Sequence, residues 1–343
     1  MAKTELPPDV TQTSPDTAPR ITAGLFLRHH ALTVGTLFIA ILMWTIFVLS
    51  APDVFLNSQI YNAFATTTPL WGMMALALTF VVITKEMDLS FVSVMALGMV
   101  GFVKTYEFTG NLYVALLACL LVGLACGLFN GYLVAILGIP SLVITLGTMF
   151  FFRGIEMVLL DGSGVALTSD EFTGLRNALN GQTAGIPNEM VWMLVIGIGL
   201  WITLNRTRFG AHLFVVGDNA DSARLMGVRV SRVKMAAFAT LGVVAAFSGL
   251  VASMQSSYLW PTLGEGLLLY PIAAVFLGGT SVFGGIGTIF GSFLGALMVG
   301  SIQAGVISAG MDGFYTQLFF GMVIIISLVI QTLIGRRMRP CRT

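Results

Sequence analysis

Long apolar runs separated by short polar stretches set the pattern of this chain. The runs fall at 31–49, 57–84, a third ending near Lys104, then 112–137, 141–160, 191–204, 235–254, 267–282, 284–307 and 314–334. They predict an all-α, polytopic integral membrane protein with about ten transmembrane helices. Two runs are irregular. The second is interrupted by Thr66-Thr67-Thr68-Pro69, and in lipid a helix broken at proline needs its freed carbonyls satisfied by neighbours or water. The run at 267–282 can either cross or re-enter. Making both segments non-crossing leaves the two termini on the same side.

The stretch 205–234 is a sizeable water-compatible segment inside this apolar pattern. It carries the start and stop signals of a short helix. Asp218 or Asn219 can cap its N-terminus, and Asp221 sits in the first turn, where the helix dipole favours an anion. Arg224 falls in the last turn, and Gly227 can take the left-handed conformation that ends a helix. About two turns result, with Ala220 and Ala223 one turn apart and apolar Leu225 and Met226 near the tip. So short a helix is marginal alone, because nucleation is costly and few bonds repay it. It must be held by packing against something, unless the stretch is an ordinary polar connector.

Composition settles the class. Apolar residues make up 56% of the 343 and charged ones 10%, with a mean hydropathy of +0.91. Soluble domains carry about 25% charged residues, so this chain could not cover a surface in water. The net charge of +1 gives no reason to expect nucleic acid. Residues 1–28 read as a disordered tail, without the basic and apolar regions of a cleavable signal peptide. A Gly-rich acidic loop occupies 161–189, and a basic tail closes the chain at 336–343.

Charge distribution orients the bundle. Of the 17 Lys and Arg, all but Lys104, Arg153 and Arg176 fall on one side of the ten-span scheme. That side is cytoplasmic by the positive-inside bias, and it holds both termini and the 205–234 stretch.

Chemistry is sparse. Cys119, Cys126 and Cys341 form neither a disulfide framework nor a metal site. His29 and His30 are interfacial, with no third ligand nearby. No G-x-x-x-x-G-K-[ST] occurs, and the Gly-rich 277–292 run lacks the lysine of a phosphate loop. No catalytic cluster, cofactor or metal is expected, and the chain does not read as an enzyme.

Glycine rows at 123, 127, 131 and at 287, 291, 295 are structural, letting helices approach closely. Uncharged polar residues within spans mark a candidate path: Asn62, Asn130, Ser141, Thr145, Thr148, Gln255 and Gln303. Ser and Thr can instead bond the carbonyl one turn back. An amide- and hydroxyl-lined path suits a neutral polyhydroxyl solute. No span shows a well-centred Asp, Glu or Lys, which weighs against proton- or sodium-coupled transport.

The blocks GIPSLVITLGTMFFFRGI (138–155), TRFGAHLFVVGDNADSARLMGVRVSRVK (207–234) and AAVFLGGTSVFGGIGTIFGSFLGALMVGSIQAGV (273–306) carry a family resemblance, as does MDLSFVSVMAL (87–97). They resemble the membrane permease subunit of bacterial ribose/xylose/arabinose-type ABC importers, across nearly all of 30–335. The resemblance implies a permease domain at 29–335 with 205–234 as its coupling loop, in the bacterial inner membrane. It further implies a second permease subunit, identical or sibling, two cytoplasmic ATP-binding subunits and a periplasmic sugar-binding protein. Asp218, Asn219, Ala223, Arg224, Leu225, Met226 and Gly227 then belong to the coupling helix that docks in the ATPase. The chain departs from the family at Gly217-Asp218-Asn219, at Leu269-Tyr270-Pro271 and in the Lys-Glu-Met before Asp88. A pentose, hexose, deoxy sugar or polyol all remain compatible. The competing class is a stand-alone secondary transporter or channel for a small polar solute.

Overall fold

The computed structural model describes residues 31–308 and 310–338. The expected N-terminal tail, His29, His30 and Cys341 lie outside the described residues. The helices are α1 (Ala31–Ser50), α2 (Pro52–Phe55), α3 (Ser58–Ile83), α4 (Phe91–Thr109), α5 (Leu112–Ala135), α6 (Ser141–Leu159) and α7 (Thr173–Asn180). They continue with α8 (Asn188–Arg206), α9 (Arg208–Asp218), α10 (Ala220–Leu225), α11 (Val230–Ser256), α12 (Leu269–Leu277), α13 (Ile289–Ser308) and α14 (Tyr315–Met338).

Among the described residues, α3, α4, α5, α6, α8, α11 and α13 are long and apolar enough to cross a bilayer. α1 and α14 contain the shorter apolar stretches Gly35–Ser50 and Tyr315–Ile326. The remaining run, 267–282, does not form a crossing helix. α12 has 9 residues, a rise of about 14 Å against a hydrocarbon core of about 30 Å. Irregular backbone flanks it on both sides.

The 57–84 run differs from expectation in the other direction. α3 is continuous through Pro69. Asn57 caps it by accepting from the Gln59 amide. Beside the proline, the Gln255 side-chain amide reaches the Thr66 carbonyl at 3.5 Å. The helix is held by neighbours rather than broken.

α3 is the central element, buried along most of its length from Thr68 to Ile83 and packed by α8, α11, α12 and α13. Gly123, Gly127 and Gly131 seat α5 against α11. A side chain at Gly127 would strike the Phe238 carbonyl, and one at Gly131 would come within 2.8 Å of the Met235 Cα. Gly291 and Gly295 likewise lie against the carbonyls of Gly278 and Ala274 on the α12 side. Close backbone approach replaces the hydrophobic drive that lipid removes.

The two ends of the bundle differ. At one, the peg end, α9 and α10 lie against the end of α3. The Ser231 hydroxyl donates to the Ala135 carbonyl and sets the start of α11 level with the end of α5. At the far end, the 161–189 stretch is more ordered than an acidic loop. It holds α7, a β2–β3 hairpin (Gln182–Thr183 with Ile186–Pro187), and β1 (Val165–Ala166), which pairs antiparallel with β4 (Tyr258–Leu259).

Replacing Gly127 by Leu should abolish accumulation of folded protein in membranes, read by fluorescence-detected size exclusion. Gly147→Leu, at a position with nothing within 4 Å, should leave it near wild type.

Candidate functional site

The peg is built from sequence-local signals and anchored by tertiary contacts. Thr207 caps α9 by accepting from the Gly210 amide. α9 runs to Asp218, so of the two cap candidates Asn219 is the one used. Its side chain accepts from the Asp221 and Ser222 amides at 2.9 and 3.0 Å. α10 is 6 residues long. Gly227 ends it in the left-handed region at φ 79°, with the Val228 amide bonding the Ala223 carbonyl. Ala223 is buried, whereas Leu225 and Met226 are 90% and 64% exposed. Arg224 pairs with Asp221 on the exposed face.

Two contacts fasten the peg to the end of α3, and a third fixes the connection before α13 beside them. Gly217 presses on the Ile83 carbonyl so closely that a Cβ there would collide with it. The Lys85 ammonium donates to the Asp218 carbonyl at 2.7 Å. The Gly285 amide, from the connection before α13, donates to the Ile83 carbonyl at 2.9 Å. Helix α9 is not among the elements the sequence predicts, although buried Leu213 and Val216, one turn apart, pack it against the bundle. Its presence gives the marginal α10 a rigid root.

The next residues, 84–90, form a non-helical turn between α3 and α4 that gathers three of the predicted path residues, Ser141, Thr145 and Asn130. The Met87 amide donates to the Ser141 hydroxyl at 3.1 Å. The Thr145 hydroxyl bonds the Ser141 carbonyl at 2.7 Å, and Thr148 bonds the Thr145 carbonyl at 3.3 Å, the back-bonding open to any helical Thr. Asn130, fully buried, donates its amide to the Ser90 hydroxyl at 2.7 Å. Ser90 in turn donates from both its hydroxyl and its backbone to Asp88, each at 2.7 Å. Glu86 pairs with Lys234 of α11.

Asp88 is buried, and desolvation pushes its carboxyl up to about 6 against the hydrogen bonds from Ser90 and Asn130 that lower it. A charged group in the turn was visible in the sequence. Its burial was not.

The other predicted path residues lie elsewhere. Gln255 sits roughly 36 Å along α11 from Ser231, and its amide also faces Glu189 at 3.4 Å. Asn62 is exposed on α3 near that far end, and Gln303 is half-buried in α13. Glu189, itself buried in the first turn of α8, accepts from Asn180 at 3.0 Å. The seven residues therefore form no single cluster.

One charged pair was not singled out by the polar pattern. α6 holds a charged pair inside the span, Arg153 with Glu156 at 2.9 Å, the carboxylate fully buried. The i, i+3 spacing was there to be read. What masked it was the position of Arg153 near the predicted helix end.

The sequence matches the family described as "Branched-chain amino acid transport system / permease component" over residues 60–328. The chain belongs to this permease family. It is 31% identical to the ribose import permease protein of Escherichia coli K12 over 281 residues, 82% of this chain and 87% of that one. Identity to the autoinducer 2 import system permease of Photorhabdus luminescens is 34% over 257 residues, covering 75% and 77%. Against the D-allose transport system permease of Escherichia coli K12 it is 30% over 303 residues, covering 88% and 92%. No solved structure matches the chain. The chain is thus a multi-pass membrane permease, not an enzyme.

Asp88 gives the permease a measurable pH signature. Its carboxyl rises from an ordinary 3.8 to about 6 in the fold. The native state therefore holds a proton that the unfolded chain has lost between those values, and stability falls as pH rises through that window. The rise corresponds to about 3 kcal/mol once Asp88 is ionised. Asp88→Asn should melt several degrees above wild type at pH 7.5 in detergent, with the two curves converging toward pH 4. A constant gap across that range would show that Asp88 is not buried as described.

Proposed function

We propose that this chain is the permease subunit of an ATP-driven sugar importer, forming the path for a neutral monosaccharide or polyol and coupled to separate cytoplasmic ATPase subunits. The observation that carries this reading is the peg. Leu225 and Met226 form an apolar tip held out in solvent on a helix whose root is wedged against α3 by Gly217, Lys85 and Gly285. An exposed apolar pair on a rigid base is the form a docking element takes.

Charge supports its placement in the cytoplasm. Arg206, Arg208, Arg224, Arg229, Arg232 and Lys234 cluster around the peg. The names of the relatives, ribose, allose and autoinducer 2 importers, support a small polyhydroxyl cargo. The assembly would hold two permeases, identical or sibling, two ATP-binding subunits and a periplasmic binding protein in the bacterial inner membrane, with both termini of this chain cytoplasmic.

Coupling follows from rigidity. A push on α10 reaches the end of α3 through the backbone contact of Gly217 with Ile83 and the 84–90 turn through the Lys85 ammonium. Movement of α3 against α11 and α13 then exchanges outward- and inward-open states around the path, a two-state switch biased by the ATPase. Transport by this chain alone is the competing reading. It predicts solute flux in liposomes holding only the permease, where the coupled reading predicts none.

Leu225→Asp combined with Met226→Asp should abolish sugar uptake in cells while leaving membrane insertion and yield at wild-type levels. Uptake retained above half of wild type would count against the peg as the site of coupling.

A further inference from the structure

We infer that the cavity between α6, the start of α4 and the 260–268 coil is the solute-recognition site of the path, with the Glu265 carboxylate accepting hydroxyl hydrogen bonds from a neutral sugar or polyol. This rests on the permease reading above.

The depth of the cavity comes first. Arg153 lies twelve residues into α6, about 18 Å from the Ser141 end. A Cβ on Gly264 would sit 2.6 Å from the Val92 carbonyl, which places the coil beside the first turn of α4. The Ser93 hydroxyl donates to the Met149 carbonyl at 2.8 Å and fixes the same level on α6. After α11 ends at the far face, the chain therefore drops about halfway through the hydrocarbon layer as irregular backbone before α12 begins. Non-helical backbone is tolerated at such depth only where it is buried in protein or lines a wet cavity. Arg153 meets part of that demand by donating to the Pro261 and Leu263 carbonyls, both at 2.9 Å.

The cavity holds about 260 Å³ and is lined by Val92, Met149, Phe150, Arg153, Glu265 and Leu268, among others. That is below the range of about 300–1,000 Å³ common for drug-sized ligands, and it suits one small solute. Gly264 and Gly266 flank Glu265 with φ of 85° and 82°, a turn that a side chain at either position would strain. Glu265 is exposed, and among the described residues its side chain takes no hydrogen bond or ion pair. A carboxylate at half depth facing hydrocarbon is expensive, so this face must meet water, solute or a second permease.

Charge narrows the ligand. Arg153 already bonds Glu156 and two carbonyls, so its guanidinium is engaged within the protein. With Arg153 engaged in this way, the exposed Glu265 carboxylate is the charge left free to face the cavity, and it repels an anion such as an amino-acid carboxylate. Hydroxyl donors satisfy Glu265 without bringing in charge, and exposed Phe150 offers a surface for a sugar's C–H face.

The test uses the complete importer, permease with ATPase and binding protein, in proteoliposomes with radiolabelled ribose and allose. Glu265→Ala should raise the KM for sugar about tenfold, the loss expected for a charge-assisted hydrogen bond. Glu265→Gln, which keeps an acceptor, should stay within about threefold. An unchanged KM in Glu265→Ala overturns the inference. Glu265→Cys reads the cavity independently of transport. A membrane-impermeant thiol reagent should label it in the assembled importer, and millimolar ribose or allose should slow the labelling. Failure to label, or labelling that neither sugar slows, also overturns it. The importer reading falls on a different result, a wild-type assembly that moves no sugar under ATP.

Discussion

A carbonyl or amide released from a helix inside a bilayer has no water to turn to, and leaving it unpaired costs several kcal/mol. This permease leaves helical geometry at two places, the turn at the peg end and the coil inside the layer, and at each one side chains supply the missing partners. At the 84–90 turn, Ser141 takes the Met87 amide and Asp88 takes the Ser90 amide. At the 260–268 coil, Arg153 supplies the Pro261 and Leu263 carbonyls. Both sets of partners come largely from α6 or face it, so that helix holds two irregular segments in register.

The two interruptions are also where rigid pieces of the fold meet. The first joins the peg, through Lys85 and Gly217, to α3 and the buried Asp88–Ser90–Asn130 chain of hydrogen bonds. The second joins α11 to the half-length α12 and leaves a cavity beside α6. Between them lie glycine contacts such as Gly127 on Phe238 and Gly295 on Ala274, which fix helices at backbone distance and leave little slack. Under the proposed coupling, a push on α10 would move packed blocks, with the irregular segments as the places where the backbone can hinge without breaking a transmembrane ladder.

Buried charge shows the same economy. Ionised Asp88 costs stability at neutral pH yet holds the 84–90 turn through two bonds to Ser90. Glu156 is sealed in α6 against Arg153. Each carboxylate keeps a conformation that an apolar residue could not specify, the registry role that buried polar groups serve elsewhere.

Much of this was legible in the residues themselves, because lipid imposes a one-dimensional rule: spans must be long, apolar and helical. That rule gave the helical class, the all-round glycine rows, and the short capped helix ending at Gly227, whose signals are all local. It could not show that Pro69 sits in an unbroken helix, since the neighbours packed beside it, the Gln255 amide near the Thr66 carbonyl among them, come from distant spans. Nor could it show α9, whose apolar residues sit in a stretch too short to span and bounded by Arg206, Arg208 and Asp218, or that 267–282 supplies only a 9-residue helix. Ser141, Thr145 and Asn130 were singled out by polarity alone, but their convergence on Met87 and Ser90 depends on how α4, α5 and α6 pack. Burial of Asp88 and the pairing of Arg153 with the 260–268 carbonyls belong to the same category. Hydrophobic periodicity reports which segments leave water, whereas the identity of the neighbours that then satisfy their polar groups is fixed only when the helices pack.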